Sequence, residues 1–168
     1  MAFPGTGRII NGLSFDYSSI TVTIDGIPYQ GVTEISYSDT MEPGVLRGTG
    51  ALMRGRTRGM YEAEASFTIA LQDFIPIRSA LASKSAAANG GGGFMEQMFL
   101  ITVSYREANT PLLTDTIEGC RIKHVENSHS SGNSDGLVTK VDLSVFRIGY
   151  NQQYAVGVGE QTKSLVAP

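Results

Sequence analysis

Within the segment 60–71, the residues from Tyr61 to Ile69 alternate between apolar and polar side chains without a break. The positions between the apolar ones carry Glu62, Glu64, Ser66 and Thr68. Because successive side chains of a β-strand point to opposite faces, this period of two predicts a strand with one buried and one exposed face. Such a strand requires a second layer of structure to cover its apolar face.

Period-two patterns recur along the chain and predict further strands. Residues 18–25 alternate and end in Asp25-Gly26, a pair typical of the tight turn of a β-hairpin. The return strand keeps its register only if the chain bulges at Gly31. Later strands are predicted at about 94–106, 113–126 and 136–149.

One segment has helical periodicity instead. Its predicted buried stripe, at spacings typical of a helix face, is Phe74, Ile75, Arg78, Leu81 and Ala82. Asp73 suits the first turn of a helix and Lys84 the last, while Pro76 is tolerated only in the first turn. A helix is therefore predicted at about 73–85, followed by a flexible glycine-rich linker that overlaps its end, over 82–93.

These elements together predict a mainly β fold, an antiparallel β-barrel or sandwich with one flanking α-helix. The chain of 168 residues suits one domain at 18–150, with an N-terminal arm at 1–17 and a C-terminal arm at 151–168. The alternation is lost at about 39–60, where a long extended loop is predicted. Loops of this length inside a compact domain are usually functional or disordered.

The composition argues against several classes of protein. The single cysteine, Cys120, excludes a disulfide framework and is interpreted as a core residue. The histidines, His124 and His129, lack neighbouring ligands at metal-binding spacing. No stretch approaches the roughly 20 apolar residues of a membrane-spanning helix. We therefore predict no enzyme, no cofactor, no metal site and no membrane insertion, and synthesis in the cytoplasm.

The predicted loop is basic, whereas the chain as a whole has a net charge of -3. It contains Arg47, Arg54, Arg56 and Arg58. Such a loop could bind the phosphates of nucleic acid, or it could dock on the acidic face of a neighbouring copy. A basic protrusion on an acidic body is self-complementary, which favours head-to-tail assembly of identical copies.

Five sequence blocks, in order, resemble a bacteriophage tail tube protein of the superfamily that includes type VI secretion tubes and contractile bacteriocins. The blocks are IDGIPYQGVTEISYSDTMEPG, GTGALMRGRTRGMYEAEASFTI, ITVSYRE, TDTIEGCRIKHVENS and VTKVDLSVFRI, and they span about residues 18–150. The most specific of them is GRTRGMYEAEASFTI, followed by a helix and then ITVSYRE.

The resemblance implies hexameric rings whose β-sheets line a channel and which stack into a hollow tube. In a phage tail, this tube is the conduit for genome ejection into the host. It implies assembly in the host cytoplasm, a final place in the virion tail, and tape measure, terminator, baseplate and possibly sheath proteins as partners. It also implies that the loop at 39–60 reaches a neighbouring subunit or ring. The alternatives are the tube of a contractile injection system and, in another class, a nucleic-acid-binding module.

A channel for DNA restricts the side chains of its wall. In a ring of identical subunits, one basic residue of the wall occurs once in every subunit at the same height. Each of these residues would attract a DNA phosphate and hinder the passage of DNA, so the wall is expected to be polar or acidic. The candidates for the lumen are Glu62, Glu64, Ser66, Thr68, Asp142 and Ser144. Lys140 shares a face with Asp142, and either a local pair with Asp142 or a cross-strand pair is expected to mask its charge. Strands 60–71 and 94–106 are expected to continue the sheet across subunits.

Overall fold

The computed structural model describes residues 20–50, 53–57, 59–106, 111–129 and 136–155. These residues form eleven strands and one helix. In chain order the elements are β1 (Ile20–Ile24), β2 (Ile27–Tyr29), β3 (Val32–Glu42), β4 (Val45–Arg47), β5 (Met53–Arg56), β6 (Met60–Ala70), α1 (Leu71–Asn89), β7 (Phe99–Tyr105), β8 (Leu113–Ser128), β9 (Val138–Val145), β10 (Arg147–Tyr150) and β11 (Gln153–Tyr154).

Nine of the strands form one antiparallel sheet that folds into two layers at β8. The first half of β8 pairs with β7 and β10, in the order β2-β1-β7-β8-β10-β11. Its second half pairs with β9, in the order β8-β9-β6-β3. We call these layers the first and the second sheet. The predicted antiparallel, mainly β fold with a flanking helix is confirmed.

The hydrophobic core lies between the two sheets and under the helix. The first sheet contributes residues such as Ile101 and Ile117, and the second contributes Phe67 and Val141, each at most 2% exposed. The alternation predicted for 60–70 is confirmed, because every second residue of β6 from Ala63 to Ile69 is buried. Cys120 is also a core residue, fully buried at the fold of β8.

The fold of β8 depends on Gly119. Two residues of β8, Glu118 and Gly119, stand opposite one residue of β7, which is a β-bulge. Gly119 has a φ of 65°, and a Cβ there would lie 2.6 Å from the Cβ of Phe146. The N–H of Phe146 donates to the carbonyl of Glu118 at 3.0 Å, so the chain between β9 and β10 bends at the same place. Only glycine combines this conformation with this close approach.

The helix is longer than predicted, and its buried face is different. It starts at Leu71, where carbonyls that immediately precede two strands accept N–H groups: Ala70 donates to Gly31, just before β3, at 3.0 Å, and Leu71 donates to Leu137, just before β9, at 2.9 Å. It continues to Asn89, through residues predicted as a linker, and Gly90 caps it in the left-handed conformation. Pro76 consequently lies beyond the first turn.

The buried stripe of α1 consists of Phe74, Ile77, Leu81 and Ser85. The prediction placed Ile75 and Arg78 in this stripe, and it was wrong for both, since both are exposed. Ile75 and Ile77 are equally apolar, so packing against the sheet rather than the local pattern decides which of them is buried.

The segment predicted as an extended loop at 39–60 is largely β-structure. Strand β3 continues to Glu42, β6 begins at Met60, and β4 and β5 form a separate two-stranded ribbon between them. All three side chains of β4 are exposed, and in β5 the exposed Arg54 and Arg56 stand on either side of Gly55, so neither strand shows a buried face. Backbone pairing holds the ribbon, so the hydrophobic pattern could not reveal it.

The remaining strand predictions are confirmed in part. Asp25 and Gly26 form the tight turn with positive φ values of 53° and 85°. The predicted bulge lies between Val32 and Glu34 rather than at Gly31. The strand predicted at 94–106 begins only at Phe99, after a turn. Strand β11 falls within the segment predicted as the C-terminal arm.

The bend at Gly119 yields a prediction. We expect Gly119→Ala to lower the free energy of unfolding by at least about 2 kcal/mol, because it combines a left-handed conformation with a clash. Gly90→Ala is the matched control: its φ is 74° but nothing lies within 4 Å of a Cβ there, so about 1 kcal/mol is expected. Urea denaturation of both variants measures the difference. Equal losses would show that the contact with Phe146 is unimportant.

Candidate assembly surfaces

The outward side of the second sheet is polar between its two ends, where the exposed apolar residues Met60 and Val138 stand on the same side. We call it the polar face. Ladder partners in an antiparallel sheet share a side, so the register places these residues together on it: Glu34, Ser36, Ser38, Thr40, Glu62, Glu64, Ser66, Thr68, Lys140, Asp142, Ser144, Arg121, His124 and Glu126.

The structure brings all the predicted lumen residues together on the polar face. Ser66 is directly opposite Asp142, and Glu64 is directly opposite Ser144. Sequence reasoning missed the contributions of β3 and β8 to this face. The alternation of Ser36, Ser38 and Thr40 was a signal for β3, but the bulge before it obscured the register.

The polar face carries both signs of charge, with carboxylates in excess. Within the described strands, the basic residues on this side are Arg121, Lys123 and Lys140, fewer than the carboxylates. Lys123 forms an ion pair with Glu64 at 3.4 Å, and both side chains are exposed, so the pair contributes little stability. The ladder sets Lys140 directly opposite Glu126, which is the cross-strand arrangement expected to mask it.

A second surface is the ribbon at residues 43–59, which we call the arm. Arg47, Arg54 and Arg56 are exposed on it, and Arg58 lies outside the described residues. Two apolar residues, Val45 and Leu46, are also at least half exposed, at 50% and 57%. The arm is therefore a basic ribbon with two exposed apolar residues, and it joins the end of β3 to the start of β6, where β6 is not yet paired with β9.

Hydrogen bonds define the base of the arm. Thr57 donates its N–H to the carbonyl of Gly44 at 2.9 Å, and the N–H of Gly44 donates to the Thr57 hydroxyl at 3.0 Å. Gly59 has a φ of 83°, and a Cβ there would lie 2.0 Å from the carbonyl oxygen of Glu42. The close strands thus exclude any larger side chain at this position.

Below the arm, tyrosines and carboxylates join the two sheets. We call this network the clasp. Tyr37 of the second sheet donates to Asp115 of the first at 2.6 Å, and its hydroxyl is also hydrogen-bonded to that of Tyr105. In the reverse direction, Tyr150 of the first sheet donates to Asp39 of the second at 3.0 Å. Each sheet therefore has a carboxylate that accepts a hydrogen bond from a tyrosine hydroxyl of the other sheet.

The clasp also involves Tyr61, which has two roles. Its hydroxyl donates to Asp39 at 3.3 Å and accepts the backbone N–H of Ile148 at 3.1 Å. Partial burial and the hydrogen bond to Asp39 raise the pKa of Tyr150 to about 12. Burial and the hydrogen bond to Asp115 likewise raise the pKa of Tyr37. The neutral phenols are favoured because an ionised one would face a carboxylate.

An ion pair stands on the outward side of the first sheet. Arg147 pairs with Glu118 and lies 4.3 Å from the centre of the Tyr154 ring, which places β11 against β10 and β8. Partial burial by itself would raise the pKa of Glu118, but hydrogen bonds from Arg147 and Tyr154 outweigh it and lower that pKa. The cluster ties the last described strand to the domain.

The described residues contain no group of three or more His, Cys, Asp and Glu side chains able to hold a metal ion. Burial raises the pKa of the Cys120 thiol to about 12, the opposite of what a nucleophile requires. No helix among the described residues is long and apolar enough to cross a membrane.

Comparison of the fold with solved structures identifies its type. No protein-family model and no curated protein matches the chain. A chain of the sheath–tube complex of the PVC extracellular contractile injection system matches with a TM-score of 0.61 and 13% identity, over 87% of this chain and 97% of that one. The SPP1 tail tube matches with a TM-score of 0.55 and 9% identity, over 92% and 87%. The chain has the tail-tube fold.

A third neighbour extends the tail-tube fold to another kind of system. A type six secretion system protein matches with a TM-score of 0.51 and 14% identity, over 86% of this chain and 93% of that one. The fold that the resemblance implies is confirmed by these three matches. Within this fold, the strand register determines which residues of the second sheet lie on the polar face and which lie in the core.

The clasp yields a prediction for alkaline pH. An ordinary tyrosine has a pKa of 10.0, and the pKa of Tyr150 is raised to about 12, so the folded state binds the phenolic proton more tightly. Its contribution to stability is complete below pH 10 and is lost as pH rises through about 12. We expect tyrosine ionisation, followed by ultraviolet absorbance, to lag behind that of the urea-unfolded chain. Tyr150→Phe should reduce this lag, and superimposable curves would contradict the clasp.

Proposed function

We propose that this protein is the structural subunit of a hollow tube, in which its copies form hexameric rings that stack. The observation that carries the proposal is the polar face, a second sheet that is open to solvent on one side within a tail-tube fold. A sheet of this kind can line an aqueous channel, because its polar side needs no covering layer. The proposed role is structural and not enzymatic.

The edges of the second sheet support ring formation. Within the described part of the chain, residues 34–42 of β3 pair only with β6, and residues 121–128 of β8 pair only with β9. In the order β8-β9-β6-β3 each strand is antiparallel to its neighbour, so β3 and β8 run in opposite directions. β3 of one copy can therefore pair antiparallel with β8 of the next copy. Repetition around a ring closes a barrel and removes the exposed edges.

This arrangement replaces the edge strands expected from the sequence. β6 already lies between β3 and β9, and β7 already lies between β1 and β8, so neither has a free edge along its paired residues. Length and low charge, the features that indicate these two strands in the sequence, suit the interior of a sheet equally well. The edges belong instead to β3 and β8.

In the proposed ring, the polar face is the wall of the lumen. Glu62, Glu64 and Asp142 would then face DNA, supported by the excess of carboxylates on this side. Two of its basic residues stand beside acids, Lys123 beside Glu64 and Lys140 opposite Glu126, which limits attraction to phosphates. DNA passage would proceed without specific binding, consistent with a wall of short hydroxyl side chains and carboxylates.

We assign the tube to a phage tail, assembled in the host cytoplasm, where it would conduct the genome during ejection. Tape measure, terminator, baseplate and sheath proteins are the proposed partners. The second candidate is the tube of a contractile injection system, favoured by the fold match to the PVC sheath–tube complex. A nucleic-acid-binding module would rely on the basic arm alone.

Electron microscopy and light scattering of the purified protein test this function. We expect rings or tubes, and we expect the triple variant Arg54→Glu, Arg56→Glu, Arg58→Glu to form rings that do not stack, because the arm becomes acidic. The control reverses two exposed arginines elsewhere, Arg78→Glu and Arg106→Glu, and should stack normally. A strict monomer at high concentration that shifts labelled DNA would instead support the nucleic-acid-binding alternative.

The lumen assignment has its own test. Glu62→Lys with Glu64→Lys should leave tubes intact but make them retain duplex DNA, with a salt dependence that reports new phosphate contacts. Glu62→Gln with Glu64→Gln is the control, since it removes charge without adding a phosphate-binding group. Co-sedimentation of DNA with tubes over a series of salt concentrations measures the effect. Equal DNA retention by both variants would place these residues outside the channel.

A further inference from the structure

Two charged side chains stand at opposite edges of the second sheet. Arg121 begins the part of β8 that pairs only with β9, and Glu42 ends β3. Both side chains are exposed and lie on the side of the polar face, since Arg121 is opposite Ser144 and Glu42 comes two residues after Thr40. Among the described residues, neither forms a salt bridge within the copy. Each can therefore bind a charge of the opposite sign on another molecule.

A hydrogen bond holds the guanidinium of Arg121 at its edge. The Nε of Arg121 donates to the backbone carbonyl of Met95, in the loop between α1 and β7, at 3.1 Å. The terminal amino groups of the guanidinium remain for a carboxylate, which they can bind in a planar fork. Because this hydrogen bond already restricts the side chain, an ion pair formed there costs less conformational entropy.

Only a few registers between the two edges are compatible with ring closure. His124 and every second residue after it face the polar side on β8, and the even-numbered residues of β3 do the same. A one-residue slip would turn one of the strands over, so the polar face continues between copies only if His124 stands opposite an even-numbered residue. The candidates in β3 are Glu34, Ser36, Ser38, Thr40 and Glu42.

Length and charge exclude the first two candidates. With His124 opposite Glu34, residues 37–42 of β3 would extend beyond the paired part of β8 and would leave their edge open. With His124 opposite Ser36, Glu126 would stand directly opposite Glu34. Like charges in this position of an antiparallel pair are destabilising.

The remaining registers differ in what faces Arg121. The bulge in β8 places Arg121 and His124 two ladder positions apart. Arg121 therefore faces Glu42 when His124 faces Thr40. It faces Thr40 when His124 faces Ser38, and it extends past the end of β3 when His124 faces Glu42. Only the first of these registers places the guanidinium directly opposite a carboxylate.

We propose that in the ring Arg121 of one copy binds Glu42 of the next, and that this ion pair sets the register of the junction between β8 and β3. The ladder pairs that follow from it, from β8 to β3, are His124 with Thr40, Glu126 with Ser38 and Ser128 with Ser36. An exposed ion pair adds little stability, so its role is to select one register among several with similar backbone pairing. This inference rests on the proposed tube function and identifies the residues that align neighbouring copies.

The geometry of a closed barrel agrees with this register. Within one copy, His124 and Ser36 stand in the same ladder row, at opposite edges of the four strands. In the proposed junction, Ser36 faces Ser128 of the next copy, further along β8. Each copy then displaces the ladder by about 13 Å along the strands and adds about 19 Å across them. The resulting strand tilt of about 35° is typical of closed barrels, whereas His124 opposite Ser36 would give no tilt.

Engineered cysteines report the register directly. The only native cysteine, Cys120, is fully buried, so engineered ones react in a clean background. Ser36→Cys combined with Ser128→Cys should give covalent oligomers up to the hexamer when rings are treated with oxidised glutathione. Within one copy these positions lie at edges three strand spacings apart, about 14 Å, so a disulfide between them can only join two copies.

Two further cysteine pairs report slipped registers. Ser38→Cys with Ser128→Cys would stand opposite each other after a slip in one direction, and Ser38→Cys with His124→Cys after a slip in the other. In the proposed register both pairs are diagonal neighbours at the limit of disulfide reach, so they should crosslink at least about tenfold more slowly than Ser36→Cys with Ser128→Cys. Equal or faster crosslinking of a slipped pair, or rings that no pair crosslinks, would overturn the proposed register.

Charge exchange tests the ion pair itself. Arg121→Glu and Glu42→Arg should each raise the concentration needed for ring formation about tenfold or more, because like charges then face each other at every junction. Combining the two substitutions should restore ring formation, although the hydrogen bond to Met95 stays lost. Arg78→Glu, an exposed reversal on α1, is the control and should have no effect. Failure of the combined variant to recover would overturn the ion pair.

Wild-type behaviour separates this inference from the function on which it rests. A wild-type chain that forms no rings in electron micrographs would overturn the proposed function and this inference with it. Wild-type rings that crosslink in a slipped register, or whose charge exchange gives no rescue, would overturn this inference alone. Circular dichroism of each variant confirms that a loss of rings is not a loss of folding.

Discussion

The bend of β8 is the feature on which the other elements depend. One strand takes part in both sheets because a glycine with a positive φ admits a bulge in the middle of its 16 residues. Without the bend, the strand would continue one flat sheet, and the apolar sides of β6 and β7 would have no opposing layer. The bend closes the core over Cys120 and simultaneously turns the polar face outward.

The separation into a buried side and an open side explains the proposed role better than any single residue does. A channel wall needs a surface that is stable in water, continuous between copies and weakly attractive to its cargo. The second sheet meets the first requirement through its short hydroxyl side chains, and its β3 and β8 edges offer the second. The third depends on how its acids and bases are arranged around Glu64 and Asp142.

Much of this arrangement could be predicted from local sequence patterns, and the failures have physical reasons. The buried face of β6 was predicted correctly because apolar and polar residues alternate without interruption from Tyr61 to Ile69. The face of α1 was not, because Ile75 and Ile77 differ only in their tertiary contacts. The β-structure of the arm was missed because β4 and β5 pair only with each other and show no buried face. The clasp could not be predicted from local patterns, since Tyr37 and Asp115 are 78 residues apart in the sequence.

The direct passage of β6 into α1 has a mechanical consequence. From Ala63 to Ala70, β6 is paired with β9 on one side and with β3 on the other, apart from the bulge near its end, and the helix follows without a loop. A pull on the arm along β6 therefore stretches both ladders in shear, where many hydrogen bonds resist together instead of breaking one after another. Tension would pass from the arm into the helix and the core through a strand that cannot be peeled away from its end.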